Sequence, residues 1–148
     1  MKTVEKSVLV LHSAEHIFDL VNNVEDYPQF LPWCNRTEIL KRDEHSLEAV
    51  LHMDYMKIRQ SFATRNINHR PHKIQMSLLN GPFRRLEGFW QFTPIDNLGC
   101  KIDFRLEYEF SSAVLSALIG PVFNHIATTL VDAFIQEADR RYDDRYYG

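Results

Sequence analysis

Lys101-Ile-Asp-Phe-Arg-Leu-Glu-Tyr-Glu-Phe110 alternates charged and apolar side chains without a break, and Ser111-Ser-Ala-Val-Leu-Ser-Ala-Leu-Ile-Gly120 follows it with a different period. The alternation puts Ile102, Phe104, Leu106, Tyr108 and Phe110 on one face of a strand. Lys101, Asp103, Arg105, Glu107 and Glu109 take the other, the pattern of a half-buried antiparallel strand. Beyond Phe110, the residues Leu115, Ile119, Val122, Phe123, Ile126, Leu130, Ala133 and Phe134 share a helical face, with His125, Thr128, Asp132, Gln136 and Asp139 opposite. One apolar sheet face and one apolar helix face bury each other, which predicts a two-layer α+β domain. Gly120-Pro121 predicts a kink or a restart of the helix, with its main run beginning near Pro121. Tyr142 to Gly148 reads as its frayed end.

The same period of two runs backward through the chain. Leu47, Ala49, Leu51, Met53 and Tyr55 alternate with Glu48, His52 and Asp54, and Ile58, Gln60, Phe62 and Thr64 continue after a tight turn at Met56-Lys57. Ile74, Met76 and Leu78 form the next run, then Leu86, Gly88, Trp90 and Phe92. Gly81-Pro82 and Asp96-Asn-Leu-Gly99 supply turns, so the strands form a meander of hairpins whose last strand meets the first, Val4 to Leu11. Ser13 is placed to cap a short helix, Ala14 to Asn22, with Ile17, Leu20 and Val21 on one side. Val24 to Asn35 holds three aromatics and two prolines, too crowded for a regular element. Pro28 and Pro32 predict extended geometry at Tyr27 and Leu31, in a turn of helix followed by a bend whose apolar side chains need something to cover. The 148 residues, 45% hydrophobic and 25% charged, suit a single domain, 1–148, with one core.

Composition excludes several functions. A net charge of −3 opposes nonspecific nucleic-acid binding by the whole molecule. The two cysteines, Cys34 and Cys100, lie far apart without a paired thiol and read as reduced, buried groups. Of seven histidines only His69 and His72 sit close together, across a proline turn with no third ligand; His12 and His16 straddle a strand–helix junction, so no metal is expected. There is no Gly-x-Ser-x-Gly elbow, and five scattered glycines build no phosphate loop. Glu107 and Glu109 share a solvent face with Arg105 and balance charge there. Alternation begins almost at the first residue, with no leader pattern and no apolar run of about 20 residues, which predicts a soluble cytoplasmic protein.

Inward-facing positions suggest a ligand cavity between sheet and C-terminal helix. Its candidate lining is Trp33, Ala49, Leu51, Met53, Phe62, Thr64, Asn66, Met76, Leu78, Leu86, Trp90, Phe104, Leu106, Phe123, Ala127 and Leu130, within an inward set that also holds Ile126 and Phe134. Small residues (Ala49, Gly88, Ala127) and polar ones (Gln60, Thr64, Asn66) interrupt the large apolar side chains. That mixture suits a mostly hydrocarbon ligand, weakly polar at one end, because burial contributes about 0.8 kcal/mol per CH₂ while hydrogen bonds fix orientation. Thr64, Asn66 or Tyr108 would donate to a carbonyl, and Trp33 or Trp90 would line a ring.

Tyr27-Pro-Gln-Phe-Leu-Pro-Trp-Cys34 resembles the signature of the bacterial ribosome association toxin family, closely related to the mitochondrial coenzyme Q-binding proteins. Ser61-Phe-Ala-Thr-Arg-Asn66, Gly81-Pro-Phe-Arg-Arg-Leu-Glu-Gly-Phe-Trp-Gln-Phe-Thr-Pro94 and Pro121-Val-Phe-Asn-His-Ile-Ala127, with Ala133-Phe134 beyond, fit that resemblance in order along nearly the whole chain. The resemblance implies a START-like, helix-grip fold of the polyketide cyclase and lipid transport superfamily: a curved antiparallel sheet of about seven strands wrapped on the long C-terminal helix. It implies non-enzymatic binding of ubiquinone or another polyprenyl lipid in support of respiration, with no required cofactor. The alternative it implies is a toxin that binds the large ribosomal subunit and inhibits translation initiation, for which Arg65, Arg70, Lys73, Arg84 and Arg85 are the candidate contacts to rRNA phosphates. Trp33 and Phe83, each beside a proline, are candidates for an apolar mouth touching a membrane, which would place the protein peripherally at the inner membrane.

Overall fold

In the computed structural model, which describes residues 1–142, the chain runs as β1 (Lys2–Val10), α1 (Ala14–Asn22), a 3₁₀ turn (Val24–Asp26), α2 (Tyr27–Phe30), β2 (Cys34–Arg42), β3 (Ser46–Tyr55), β4 (Ile58–His69), β5 (Lys73–Asn80), β6 (Phe83–Ile95), β7 (Gly99–Phe110) and α3 (Ala113–Tyr142). The seven strands form one antiparallel sheet in the order β1-β7-β6-β5-β4-β3-β2. The last strand meets the first from Lys2 opposite Tyr108 to Val10 opposite Cys100. Met56 and Lys57 both adopt positive φ, the backbone of a tight two-residue hairpin turn. Ser13 caps α1 by accepting from the His16 amide, and Ser112 caps α3 by accepting from the Leu115 amide.

The apolar face of the sheet bends round α3. Register shifts in the β2–β3, β4–β5 and β6–β7 pairings mark bulges or irregularities, which bend strands. In consequence α3 reaches both edges: Lys6 on β1 pairs with Asp132 at 3.5 Å, while Phe30, just before β2, packs edge-on against Phe134 at 5.3 Å. The buried face of α3 is Ile119, Phe123, Ile126, Ala127, Val131, Phe134, Glu137 and Ala138. Leu115, Val122, Leu130 and Ala133 are half-buried beside it.

Several expectations are corrected. Helix α3 does not restart at Pro121; it begins at Ala113 and runs through the proline. Pro121 and the preceding-turn residue Ala117 are both exposed, so the carbonyl that loses its amide partner faces solvent. Helix α3 is long and apolar enough, by length and composition, to cross a membrane, although Ser116, Asn124, His125, Thr128 and Thr129 interrupt it so that no continuous apolar run of that length occurs. Here it serves as the helix that covers the sheet. Tyr27 is helical (φ −52°, ψ −43°), not extended, whereas Leu31 is extended as expected. Pro28 sits in the first turn of α2, where a missing amide costs nothing, and the Tyr27 hydroxyl donates to the Val21 carbonyl, holding the ring in place. Strand β2 carries no alternation because only Cys34 in it is buried. Of the tail read as a frayed helix end, Tyr142 closes α3 and the rest lies outside the described residues.

Gly88 is small for the sheet rather than for a cavity. A Cβ there would stand 2.1 Å from the Arg105 carbonyl oxygen and 3.0 Å from the Leu106 Cα on β7. The far end of α3 is held by polar contacts. Buried Glu137 accepts from Arg140 Nε at 2.9 Å and from Arg141 Nε at 2.5 Å, and Arg141 Nη1 donates to Asp26 at 3.0 Å, tying the helix to the 3₁₀ turn. His12 Nε2 lies 2.7 Å from Asp139 Oδ1, and the Tyr142 ring stacks on His16 at 4.2 Å. The Arg140 hydrogen bond, joined by Arg141, holds the Glu137 carboxyl below its ordinary range against the opposing effect of burial.

Two substitutions test these constraints by chemical denaturation. Gly88→Ala should cost about 1–3 kcal/mol or more, although alanine is normally the better strand residue, because backbone must move to admit the methyl. Wild-type stability in that variant would contradict the clearance argument. Glu137→Gln should cost about 1–3 kcal/mol at pH 7. Since the folded-state pKa is depressed, this contribution is present above the unfolded carboxyl value of about 4.3 and is lost as pH falls through the folded value. The gap between variant and wild type should therefore close in acid; a gap independent of pH would assign it to packing.

Candidate functional site

An apolar cavity of about 90 Å³ lies between α3 and the sheet, closed on one side by the 3₁₀ turn, α2 and Trp33. Trp33, Ala49, Leu51, Phe62, Thr64, Asn66, Met76, Leu86, Trp90, Phe104, Leu106, Phe123, Ala127 and Leu130 line it, as the inward parity of their elements predicts, together with Ile126 and Phe134. Two residues of the predicted lining do not. Met53 is buried opposite Cys34 at the end of β3, past the cavity, and Leu78 is half-buried against the core opposite Thr64. Sequence reasoning missed Val24 and Tyr27, which complete the wall. Their signal was the crowded apolar segment itself, whose covering role was legible without its target.

The volume decides how the site works. Small-molecule pockets usually measure about 300–1,000 Å³, so a polyprenyl lipid enters this cavity only if a wall moves. The segment from Val24 to Trp33 is tied to the sheet, with the Trp33 carbonyl accepting from the Asp54 amide at 2.8 Å, the Val24 carbonyl from Thr37 at 3.3 Å, and Glu25 pairing with Arg42, so its seam with α3 is where the wall can part. Its hold on α3 is aromatic and ionic: Tyr27 and Phe30 each meet Phe134 edge-on at 5.3 Å, and Arg141 pairs with Asp26.

Polar groups are few. Thr64 and Asn66 stand two apart on β4, so both face the cavity. Asn66 is flanked across the sheet by Leu47 and Met76, and its Oδ1, fully buried, has no hydrogen-bond partner. Such an orphan costs about 1–3 kcal/mol. Tyr108, a candidate donor, is corrected: it does not line the cavity, and its hydroxyl donates to Asn124 Oδ1 at 3.3 Å. Gln60 likewise lies outside the lining.

Neither cysteine lines the cavity, and neither is an activated nucleophile. Burial pushes the Cys34 and Cys100 thiols up to about 11, so both stay protonated near neutral pH. Desolvation also raises the Tyr27 phenol well above its usual range. Among the described residues, no three His, Cys, Asp or Glu side chains are grouped to hold a metal. A chain of Ser61 Oγ, His52 and Glu38, with 2.7 Å at each step, links β4, β3 and β2 on the opposite, solvent-facing side of the sheet. There it acts as cross-strand pairing.

The basic candidates are not one patch. Lys73 pairs with Gln91 and Arg85 with Glu109, six residues apart along β6, or about 20 Å. Nor are the arginines free of acids: Arg65 lies 3.8 Å from Glu48, Arg70 2.5 Å from Asp19, Arg84 3.1 Å from Glu109 and Arg85 3.7 Å from Glu107. Lys73 sits over the Phe89 ring at 5.0 Å. The membrane-facing roles of Trp33 and Phe83 are also corrected, since they are only 7% and 6% exposed. Exposed apolar side chains occur instead at Val114 and Leu118, one turn apart at the start of α3.

A seven-stranded antiparallel sheet closed by one long C-terminal helix over an apolar cavity defines a START-like, helix-grip domain. The sequence profile described as polyketide cyclase / dehydrase and lipid transport matches residues 10–135, and the chain belongs to that family. Within it the chain is similar to the ribosome association toxin RatA of Vibrio cholerae, 40% identical over 144 residues that cover 97% of this chain and all of the relative. It is also similar to the mitochondrial coenzyme Q-binding protein COQ10 homolog B of Xenopus laevis, 29% identical across 88% of this chain and 55% of that one. Among solved structures, the ZhuI aromatase/cyclase of Streptomyces sp. R1128 superposes with a TM-score of 0.78 at 20% identity, covering 95% of this chain and 94% of that one. That likeness concerns the fold.

Proposed function

We propose that the protein binds an apolar ligand, ubiquinone or a related polyprenyl lipid, between sheet and α3, without catalysing a reaction on it and without a cofactor. The observation that carries this reading is the apolar cavity, walled by aromatic and aliphatic side chains and holding Thr64 and Asn66. The similarity to a coenzyme Q-binding protein supports the choice of a quinone. A carrier of quinone would serve respiration. Loading requires α3 and the segment from Val24 to Trp33 to part. Exchange with a bilayer, peripherally at the inner membrane, would use the exposed Val114 and Leu118 at the start of α3.

Mass spectrometry of lipids extracted from the purified protein tests the reading. Wild type should release a polyprenyl quinone. Ala127→Phe, which puts a ring into the cavity from the buried face of α3, should reduce the recovered lipid more than tenfold at a stability cost of about 1–3 kcal/mol. Equal lipid in a folded Ala127→Phe variant would remove the cavity as the binding place.

A second reading, association with the large ribosomal subunit, is favoured by the name and near full-length 40% identity of the Vibrio cholerae relative. It places the protein in the cytoplasm. Of the basic residues, Arg70 and Lys73 lie together at the β4–β5 turn, where a double charge reversal to Glu would weaken cosedimentation with large subunits and flatten its salt dependence. Undiminished cosedimentation of the folded double variant would exclude that turn as the contact.

A further inference from the structure

Asn66 is 8% exposed, lines the cavity and leaves a buried amide oxygen without a partner. Its cross-strand neighbours, Leu47 and Met76, have no donor to offer, and the nearest polar side chain in the lining is Thr64. Asn66 makes no side-chain hydrogen bond to another described residue, and the amide oxygen is the atom left buried without a partner. The site therefore offers an acceptor and two donors to whatever enters.

A ligand whose polar end carries only carbonyl or ether oxygens can take the amide protons but leaves Oδ1 unmet. A hydroxyl donates and accepts, and satisfies both kinds of group at once. Resting on the apolar-ligand reading above, we infer that the cavity selects ligands with a hydroxyl on the apolar body, a phenol or hydroquinone in place of the oxidised ring, and that Asn66 Oδ1 is the acceptor that reads it. For a quinone carrier this means preference for the reduced form. A lone water is the competing occupant, and it would fill the site without setting a preference between ligands.

The test uses two small probes of nearly equal shape, 4-propylphenol and 4-propyltoluene, titrated into the full chain while the fluorescence of Trp33 and Trp90, both in the cavity wall, is followed. A purely apolar site favours the methyl compound, because the phenol must give up its hydrogen bonds to water. Wild type should bind the phenol at least as tightly as the toluene, and Asn66→Leu should shift the ratio about tenfold toward the toluene. Asn66→Val serves the same purpose should the leucine variant fail to fold. Wild-type preference for the toluene would overturn the inference and leave the amide oxygen to a water. So would a phenol preference that survives loss of Asn66. Binding of neither probe would instead strike at the apolar-ligand reading itself, which separates the two failures.

Discussion

Phe134 is the point at which three parts of the molecule meet. Its ring stands edge-on to Tyr27, Phe30 and Trp90, all between 5.2 and 5.3 Å, so a single side chain of α3 holds the covering segment on one side and the sheet on the other. Edge-to-face aromatic pairs contribute about 0.5–1.5 kcal/mol each beyond the area they bury. The rest of the architecture follows from that junction. The helix must run the length of the sheet to reach it, the sheet must bend to bring Phe30 and Lys6 to opposite flanks of one helix, and the space left beneath becomes the cavity.

What the sequence made legible was whatever obeys a period. The strands facing α3 alternate because one side is wet and the other dry, so β3 to β7 and most of the cavity wall could be read from parity. β2 could not, since as an edge strand it buries only Cys34 and has no dry face to impose a pattern. Tyr27 escaped for a different reason: the local rule against helix before proline was outweighed by a hydroxyl bond and burial of the ring. The restart expected at Pro121 failed in the opposite sense, because a helix-breaking residue on an exposed face costs less than the same residue facing the core. Gly88 and Ala127 looked alike as small inward residues, and only the distance from Gly88 to the β7 backbone separates clearance between strands from space for a ligand.

Charge was the least readable property. A run of basic residues in sequence suggests a surface of one sign, but side chains on adjacent strands are neighbours in space, and here each of the four candidate arginines finds a carboxylate. Such exposed pairs add little stability. They do flatten the local field, so attraction of a polyanion would depend on contacts replacing pairs already made. The cavity has the reverse character: its walls were readable, while the volume that makes it a closed state was not. Family membership is secure from the whole length of the match, yet the fold hosts both binding proteins and cyclases, so activity rests on the groups inside the cavity.

The pairing of β1 with β7 has a consequence for how the chain is made. The N-terminal strand has no neighbour in the sheet other than one completed at Phe110, and the cavity lacks its helical wall until α3 follows. Contacts so distant in sequence must bear the entropy of closing nearly the whole chain before they return anything, which slows folding. While β7 and α3 are still being made, the first strand has no partner in the sheet and the cavity face of the meander is only partly covered, so the closed sheet forms late in the making of this domain.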